Sequence, residues 1–247
     1  MKTELSGSGF QKKFEFPPPR PRPFLSDLPA RIDTYEEGVA KFFQWRTGLN
    51  YYATIDQVVD FVISTKRLKV VDFLTDTATF ALRLAGRKAF LGRIYSFDNN
   101  ITLLERARQR ARHMSLEHLV EFKPFDGMPM PVSDTSAEIA VSIFDLHRQP
   151  AEPFLTEAFR ILSSEGHLII AEMLEPKSTR NSLTWAIKRI QLRLFQKNPS
   201  EAEGVYYDRE EIIRLVFAAG FRQIIIQGLR SPSSRHEGVF CLIAATK

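Results

Sequence analysis

The sequence predicts an α/β fold: a doubly wound, mostly parallel sheet of seven strands with an antiparallel hairpin at one edge. Short runs rich in β-branched and aromatic residues alternate with segments of helical apolar spacing through most of the chain. The predicted helices between the strands have the length of crossovers in parallel βαβ units. Because no helix separates the last two predicted strands, we expect those two to form the hairpin.

The predicted strands and helices alternate from residue 68 onward. The strands are predicted at residues 68–74, 92–97, 118–123, 137–144, 166–173, 222–227 and 239–244. The helices are predicted at residues 77–84, 101–113, 151–162 and 209–219. The last helix ends at Gly220, and glycine is the preferred residue just after a helix.

Composition divides the chain into three regions. Residues 1–30 form a proline-rich arm, because proline fixes φ and removes a backbone donor. Residues 31–66 are predicted as a helical lid of two helices, the second beginning after Thr54 as its cap. Residues 67–247 hold the α/β domain, with an insertion at about 177–205 that is both apolar and basic.

Charge and cysteine content narrow the class of protein. The 247 residues carry a formal charge of +5 and a single cysteine, Cys241, which excludes an internal disulfide and fits a reducing compartment. No apolar stretch approaches the roughly 18 residues that span a bilayer, and the N-terminus lacks the apolar core of a signal peptide. We therefore expect a cytoplasmic protein.

The histidines show no metal-ligand spacing and no nucleic-acid motif appears, so neither a metal nor a nucleic acid is predicted.

Several short stretches occur in the order and spacing of a known family. They are residues 70–73, 97–100, 104–108, 125–131, 136–142 and 157–166. Together they resemble the class I S-adenosylmethionine (SAM) dependent methyltransferases, and most of all the branch that includes quinone and sterol methyltransferases. The resemblance covers roughly residues 50–247 and implies a Rossmann-like methyltransferase fold.

The resemblance implies a SAM site at the carboxyl ends of the strands, where open α/β sheets bind ligands. Asp98 matches the acidic residue that accepts the ribose hydroxyls, and a helix N-cap is its alternative role. Asp126 matches the residue that binds the adenine amino group, with a turn before Gly127 as the alternative. The other implied cofactor positions are Asp72, Leu74, Asp76, Asn99, Gly127 and Phe144.

The glycine loop of the family is degenerate in this chain. Leu74, Asp76 and Ala78 stand where the family's G-x-G-x-G has its glycines, which let the backbone approach the cofactor. The Asp76 carboxylate would lie near that of SAM, and two like charges at about 4 Å cost roughly 1 kcal/mol in water and about 4 at an effective dielectric of 20. Two functions follow. One is methyl transfer from SAM to a small apolar or aromatic molecule; the other is a catalytically inactive protein that binds a partner or acts as a scaffold.

His147 is the candidate catalytic residue. It follows the fourth predicted strand, where the resemblance places the reacting methyl group, and a histidine there can take a proton from an oxygen or nitrogen nucleophile. The alternative is a histidine on a surface loop. Asp145, close by in the sequence, is the candidate to orient the imidazole.

Two segments are candidates for contacts with partners. Residues 180–197 combine apolar and basic residues, which is typical of a helix packed on its own domain, of a cover over an apolar substrate, or of peripheral contact with a membrane or an acidic partner. The proline-rich arm either packs on its own domain or binds a protein partner, including a second subunit.

Overall fold

The computed structural model describes residues 34–76, 78–125, 127–194, 203–229 and 240–247. The expectations for the proline-rich arm, for Asp126 and for the end of the insertion at 195–202 lie outside the described residues.

Strands and helices occupy nearly the predicted positions. The strands are β1 (Lys69–Phe73), β2 (Arg93–Asp98), β3 (Val120–Pro124), β4 (Ala137–Ile143), β5 (Leu162–Met173), β6 (Arg222–Gly228) and β7 (Phe240–Thr246). The helices are α1 (Thr34–Thr47), α2 (Tyr51–Ser64), α3 (Thr79–Gly86), α4 (Ile101–His113), α5 (Ala151–Ile161), α6 (Lys177–Arg180), α7 (Leu183–Leu194) and α8 (Arg209–Ala218). A short 3₁₀ helix, Leu146–Arg148, follows β4.

The seven strands form one sheet in the order β3-β2-β1-β4-β5-β7-β6. The first five strands in this order pair in parallel with one another, and β7 is antiparallel to both β5 and β6. The predicted fold class and the antiparallel hairpin are therefore confirmed. The strand order reverses between β1 and β4, which is the topological switch point where open α/β sheets bind ligands.

A separate hydrophobic core covers each face of the sheet. Successive strand residues point to opposite faces, so Val70 belongs to the core beneath α2, α3 and α4, and Val71 belongs to the core beneath α5 and α8. Both residues are fully buried. Burial on both faces explains why the central strands read as continuous apolar runs instead of alternating ones.

Helix α2 begins one turn earlier than predicted. Its N-cap is Asn50, whose side-chain oxygen accepts a hydrogen bond from the Ala53 backbone N–H at 2.9 Å. Thr54 lies in the first turn, and its hydroxyl donates to the Asn50 carbonyl at 2.7 Å. The prediction that Thr54 caps this helix is wrong, because asparagine is at least as good a cap and lies at the junction itself.

Buried polar contacts tie α1 to the rest of the fold. Glu36 is 1% exposed and accepts a hydrogen bond from the Thr79 hydroxyl, at the start of α3, at 2.6 Å. Its other carboxylate oxygen forms an ion pair with the Arg110 guanidinium on α4. These contacts hold α1 across the carboxyl ends of the strands.

Candidate active site

A cavity of about 80 Å³ lies at the carboxyl ends of β1, β4 and β5, beneath α1 and the start of α2. Most of its wall is aromatic or aliphatic, including Val39, Phe42, Phe43, Tyr51, Ile55, Phe80, Ile143, Phe144, Met173 and Phe240. Its charged or titratable lining residues are Arg46, Asp72, Asp76, Asp145, His147, Arg148 and Glu172. An apolar chamber with a few convergent polar groups at a switch point is typical of a small-molecule site.

The loop after β1 has the backbone of a glycine loop without the glycines. Leu74, Asp76 and Ala78 adopt φ values of 55°, 45° and 59°. L-residues rarely occupy this left-handed region, which costs roughly 1–2 kcal/mol for each residue that has a Cβ. The replaced positions therefore retain the conformation that glycine normally supplies. Leu74 and Asp76, two of the predicted cofactor positions, also line the cavity.

Asp98 is held by backbone groups on both sides. It is 4% exposed, and its two carboxylate oxygens accept hydrogen bonds from the N–H of Asp76 and the N–H of Asn100, each at 2.8 Å. The N-cap of α4 is Asn100, which accepts from Thr102 and Leu103, so the alternative role of Asp98 as that cap is wrong. Asn100 directly precedes α4, so its side chain reaches the N–H groups of the first helical turn.

The other predicted cofactor residues near β2 and β3 lie apart from the cavity. Asn99 and Gly127 are exposed, and neither they nor Asp98 belongs to the lining of the cavity. Gly127 has φ 146°, so a turn conformation that favours glycine is present after β3. The structure thus joins Asp72, Leu74, Asp76, Phe144 and His147 around one chamber and leaves Asp98, Asn99 and Gly127 outside its lining.

Asp72, at the floor of the site, is a buried carboxyl group. The hydroxyls of Thr75 and Ser96 donate hydrogen bonds to its Oδ2 at 2.8 and 3.0 Å. Burial nevertheless raises the pKa of Asp72 to about 7, because the two hydroxyls only partly replace the lost hydration. Its charge therefore changes near neutral pH.

His147 forms a buried pair with Glu172. Its Nδ1 lies 3.1 and 3.2 Å from the two carboxylate oxygens, and its backbone N–H also donates to Glu172 at 3.2 Å. The imidazole is 4% exposed and stacks on the Tyr206 ring with centroids 5.0 Å apart. The alternative of a surface-loop histidine is therefore wrong.

Glu172 is the site residue that the sequence prediction missed. It lies near the end of β5, and its Oε1 accepts from the Met173 N–H at 2.8 Å. Asp145, the predicted orienting residue, forms an ion pair with Arg148 at 2.9 Å instead, and burial raises its pKa well above the ordinary value. The sequence signal that could have identified Glu172 is its position as an acidic residue in the apolar run of β5, since a buried carboxylate needs a partner.

Phe144 builds the roof of the cavity together with α1. It has φ 60°, and its ring lies 4.7 Å from that of Phe43 and 4.8 Å from that of Phe240, centroid to centroid. Beside this cluster, the Arg46 guanidinium lies 5.3 Å over the Trp185 ring and 5.5 Å over the Tyr206 ring. The cavity wall therefore runs from the aromatic roof to the imidazole of His147 through Tyr206.

Comparison with known proteins defines the class. A family model described as a methyltransferase domain matches residues 64–209. The strand order and the likeness to solved methyltransferases show the class I SAM-dependent methyltransferase fold. The chain belongs to the methyltransferase-domain family.

Two curated relatives are demethylmenaquinone methyltransferases. The protein of Lactobacillus johnsonii is 28% identical over 127 residues, which cover 49% of this chain and 52% of that protein. The protein of Staphylococcus haemolyticus is 25% identical over 171 residues, covering 64% and 70%. The first match therefore spans only about half of the relative's length.

Solved structures share the fold at low identity. Geranyl diphosphate methyltransferase in complex with SAM has a TM-score of 0.64 at 14% identity, covering 87% of this chain and 91% of that one. The cyclase SpnF has a TM-score of 0.60 at 17% identity, covering 78% and 81%. Proteins of different reaction types thus share this architecture, so the reaction has to be argued from the site.

Within the described ranges, no cluster of three or more His, Cys, Asp or Glu side chains could hold a metal ion. No helix in the same part of the chain is long and apolar enough to cross a membrane.

Proposed function

We propose that the chain is a SAM-dependent methyltransferase whose acceptor is a small apolar or aromatic molecule. The observation that carries the proposal is the buried His147–Glu172 pair in the wall of an aromatic cavity, at the switch point of a methyltransferase fold. The names of the two curated relatives support a quinol-type acceptor, because both are demethylmenaquinone methyltransferases.

The residues present fit SAM after one local rearrangement. The loop backbone already follows the glycine path, and the carboxyl groups of Asp72 and Asp145 line the chamber that a sulfonium cation would enter. Two features oppose entry in the present conformation. Asp98 is bonded to the Asp76 N–H, and the cavity of about 80 Å³ is smaller than the roughly 300 Å³ of ordinary ligand pockets. We infer that Leu74, Asp76 and Ala78, in the loop after β1, move outward when the nucleoside binds.

The chain's own residues supply the acid–base chemistry. SAM, when bound, supplies an electrophilic methyl group. In the tautomer that donates a hydrogen bond from Nδ1–H to the Glu172 carboxylate, the Nε2 atom of His147 is the proton acceptor of the ring. His147 then removes a proton from a hydroxyl of the methyl acceptor and raises its nucleophilicity. The aromatic roof around Phe43 and Phe144 excludes water and packs against a flat or apolar acceptor.

A catalytically inactive binding protein is the second candidate. The contact between Asp76 and Asp98 favours it, because the protein itself satisfies the carboxylate that the family resemblance assigns to ribose. In that case the cavity would bind an apolar ligand without any cofactor.

Calorimetry with SAM and with S-adenosylhomocysteine separates the two candidates. We expect micromolar binding of both to the wild type, at least about tenfold weaker binding to Asp98→Asn, and unchanged binding to the surface variant Glu105→Gln. Transfer of a labelled methyl group from SAM to a panel of quinols and phenols then tests the reaction. Absence of binding at millimolar ligand would favour the inactive protein.

A further inference from the structure

Helix α7 exposes an apolar stripe to solvent. Leu183, Ile187 and Ile190 are 77%, 48% and 55% exposed. Their spacing of four and then three residues puts all three on one face of the helix. Single exposed apolar residues are common, but a stripe along one helix face marks a contact surface.

The opposite side of α7 is already packed on the domain. Trp185 lies about half a turn away from the stripe and is only 5% exposed. Its ring packs edge-on against Tyr206, with centroids 5.3 Å apart, and the Arg46 guanidinium lies over it. The stripe is therefore a second face of the helix, beyond the one that holds it in place.

The segment that carries α7 has strong positive charge. Residues 177–200 contain six basic residues and no Asp or Glu; they are Lys177, Arg180, Lys188, Arg189, Arg193 and Lys197. Lys177 and Arg180 contact Asp208 and Glu211 of the domain. In the sequence, Lys188 and Arg189 lie between Ile187 and Ile190 of the stripe, and Arg193 and Lys197 follow it. The excess of basic residues is therefore concentrated in the sequence of α7 and just after it.

We propose that α7 docks the protein on the surface of an anionic lipid bilayer. The stripe enters the boundary between headgroups and acyl chains, as in amphipathic helices that lie in the membrane plane, while the basic residues meet lipid phosphates. Tyr206 connects the inner face of α7 to His147, so this docking places the wall of the cavity beside the bilayer. An apolar ligand dissolved in the membrane would then have a short path to the cavity.

Vesicle sedimentation with the full chain tests the proposal independently of cofactor binding or catalysis. We expect binding to phosphatidylcholine vesicles to rise with the fraction of phosphatidylglycerol, and to fall steeply as salt increases, because the phosphate contacts are screened. The variant Leu183→Ser/Ile187→Ser/Ile190→Ser should bind at least about tenfold more weakly. The variant Lys188→Glu/Arg189→Glu should lose the dependence on phosphatidylglycerol.

A matched control is Leu91→Ser/Phe217→Ser, which removes two apolar side chains that are 58% and 57% exposed elsewhere on the surface. It should bind vesicles like the wild type, and thermal unfolding should show that all variants remain folded. Equal binding by the stripe variant and the wild type would overturn the proposal, as would binding that ignores lipid charge and salt. Self-association in solution that the stripe variant abolishes, without vesicle binding, would assign the stripe to a second copy of the chain instead.

Discussion

The backbone N–H of Asp76 donates a hydrogen bond to the carboxylate of Asp98 across 2.8 Å. This contact joins the loops that follow β1 and β2, the two loops that the family resemblance assigns to the cofactor. We infer that a nucleoside that uses Asp98 displaces the Asp76 N–H from it. On that inference, the affinity for SAM includes the cost of opening the loop, and residues that hold the loop closed control that affinity.

The substitution Asp76→Gly should strengthen SAM binding. It removes a carboxylate from the chamber and relieves a residue held at φ 45°, a conformation that glycine adopts freely. Like-charge repulsion of about 1–4 kcal/mol corresponds to a gain in affinity of roughly fivefold to thousandfold, which calorimetry would detect.

The matched control for that experiment is Lys66→Gly. Lys66 also has a positive φ, 58°, but it is exposed after α2 and is not part of the cavity lining. It should change the free energy of unfolding slightly and leave SAM affinity unchanged. Equal gains in affinity from both variants, or none from Asp76→Gly, would show that the loop does not limit binding.

The buried carboxyl of Asp72 should make stability depend on pH. Its folded pKa of about 7 lies above its ordinary value of 3.8, so the folded state binds this proton more tightly than the unfolded state does. The tighter binding of this proton contributes fully to the free energy of unfolding when pH is below the ordinary pKa of 3.8. That contribution is lost as pH rises through the folded pKa of about 7. Asp72→Asn cannot ionise and does not show this loss. Its free energy of unfolding should therefore rise relative to that of the wild type by about 2–3 kcal/mol between about pH 5 and 8.

Urea unfolding of both proteins across that pH range measures the effect. The control is Asp60→Asn, because Asp60 is an exposed residue on α2 and its removal should shift stability equally at each pH. A constant difference between Asp72→Asn and the wild type at every pH would contradict the assignment. Since SAM is cationic, its affinity relative to that of S-adenosylhomocysteine should also rise as Asp72 ionises.

The order of elements could be read from the sequence because it depends on local patterns. Helix α4 begins and ends at the predicted residues, since its apolar stripe and its basic last turn are local signals. Strand β5 begins at Leu162, four residues earlier than predicted, where Ala137 pairs with Leu162 across an irregular register. That extension depends on the neighbouring strand and not on the segment's own composition.

The site was harder to predict because its contacts join distant residues. Glu172 is separated from His147 by a helix and most of a strand, and only the parallel pairing of β4 with β5 brings them together. The nearer Asp145 looked like the partner in sequence but turns towards Arg148. Similarly, the positive φ values at Leu74 and Asp76 could not be expected from residue types that disfavour them.

The His147–Glu172 pair should be needed for methyl transfer. His147→Gln should lower kcat by about a hundredfold or more, the usual contribution of a general base, with little effect on SAM affinity. Glu172→Gln keeps the shape but not the charge that fixes the ring proton on Nδ1, so we expect a smaller loss of kcat and an altered pH profile. Steady-state kinetics with the best acceptor would measure both.

His113→Gln serves as the matched control, because His113 is exposed near the end of α4. It should leave kcat and its pH profile unchanged. If His147→Gln retained wild-type kcat, the acceptor would react without a base from this residue. A shift of kcat without any change in pH profile for Glu172→Gln would assign that residue a packing role alone.

The buried ion pair between Glu36 and Arg110 should hold α1 over the cavity. Glu36→Ala leaves the guanidinium of Arg110 without this carboxylate in a buried setting, which typically costs about 3–5 kcal/mol of unfolding free energy. Glu36→Leu/Arg110→Met should recover most of that loss, since replacing both partners by apolar groups is often close to neutral.

The exposed neighbour Glu37 pairs with Lys41 at 3.5 Å, and Glu37→Ala should cost less than about 1 kcal/mol. Chemical unfolding of the four proteins measures these differences, and the KM for the acceptor should rise in Glu36→Ala because the roof loosens. Equal costs for Glu36→Ala and Glu37→Ala would show that the pair does not hold the helix.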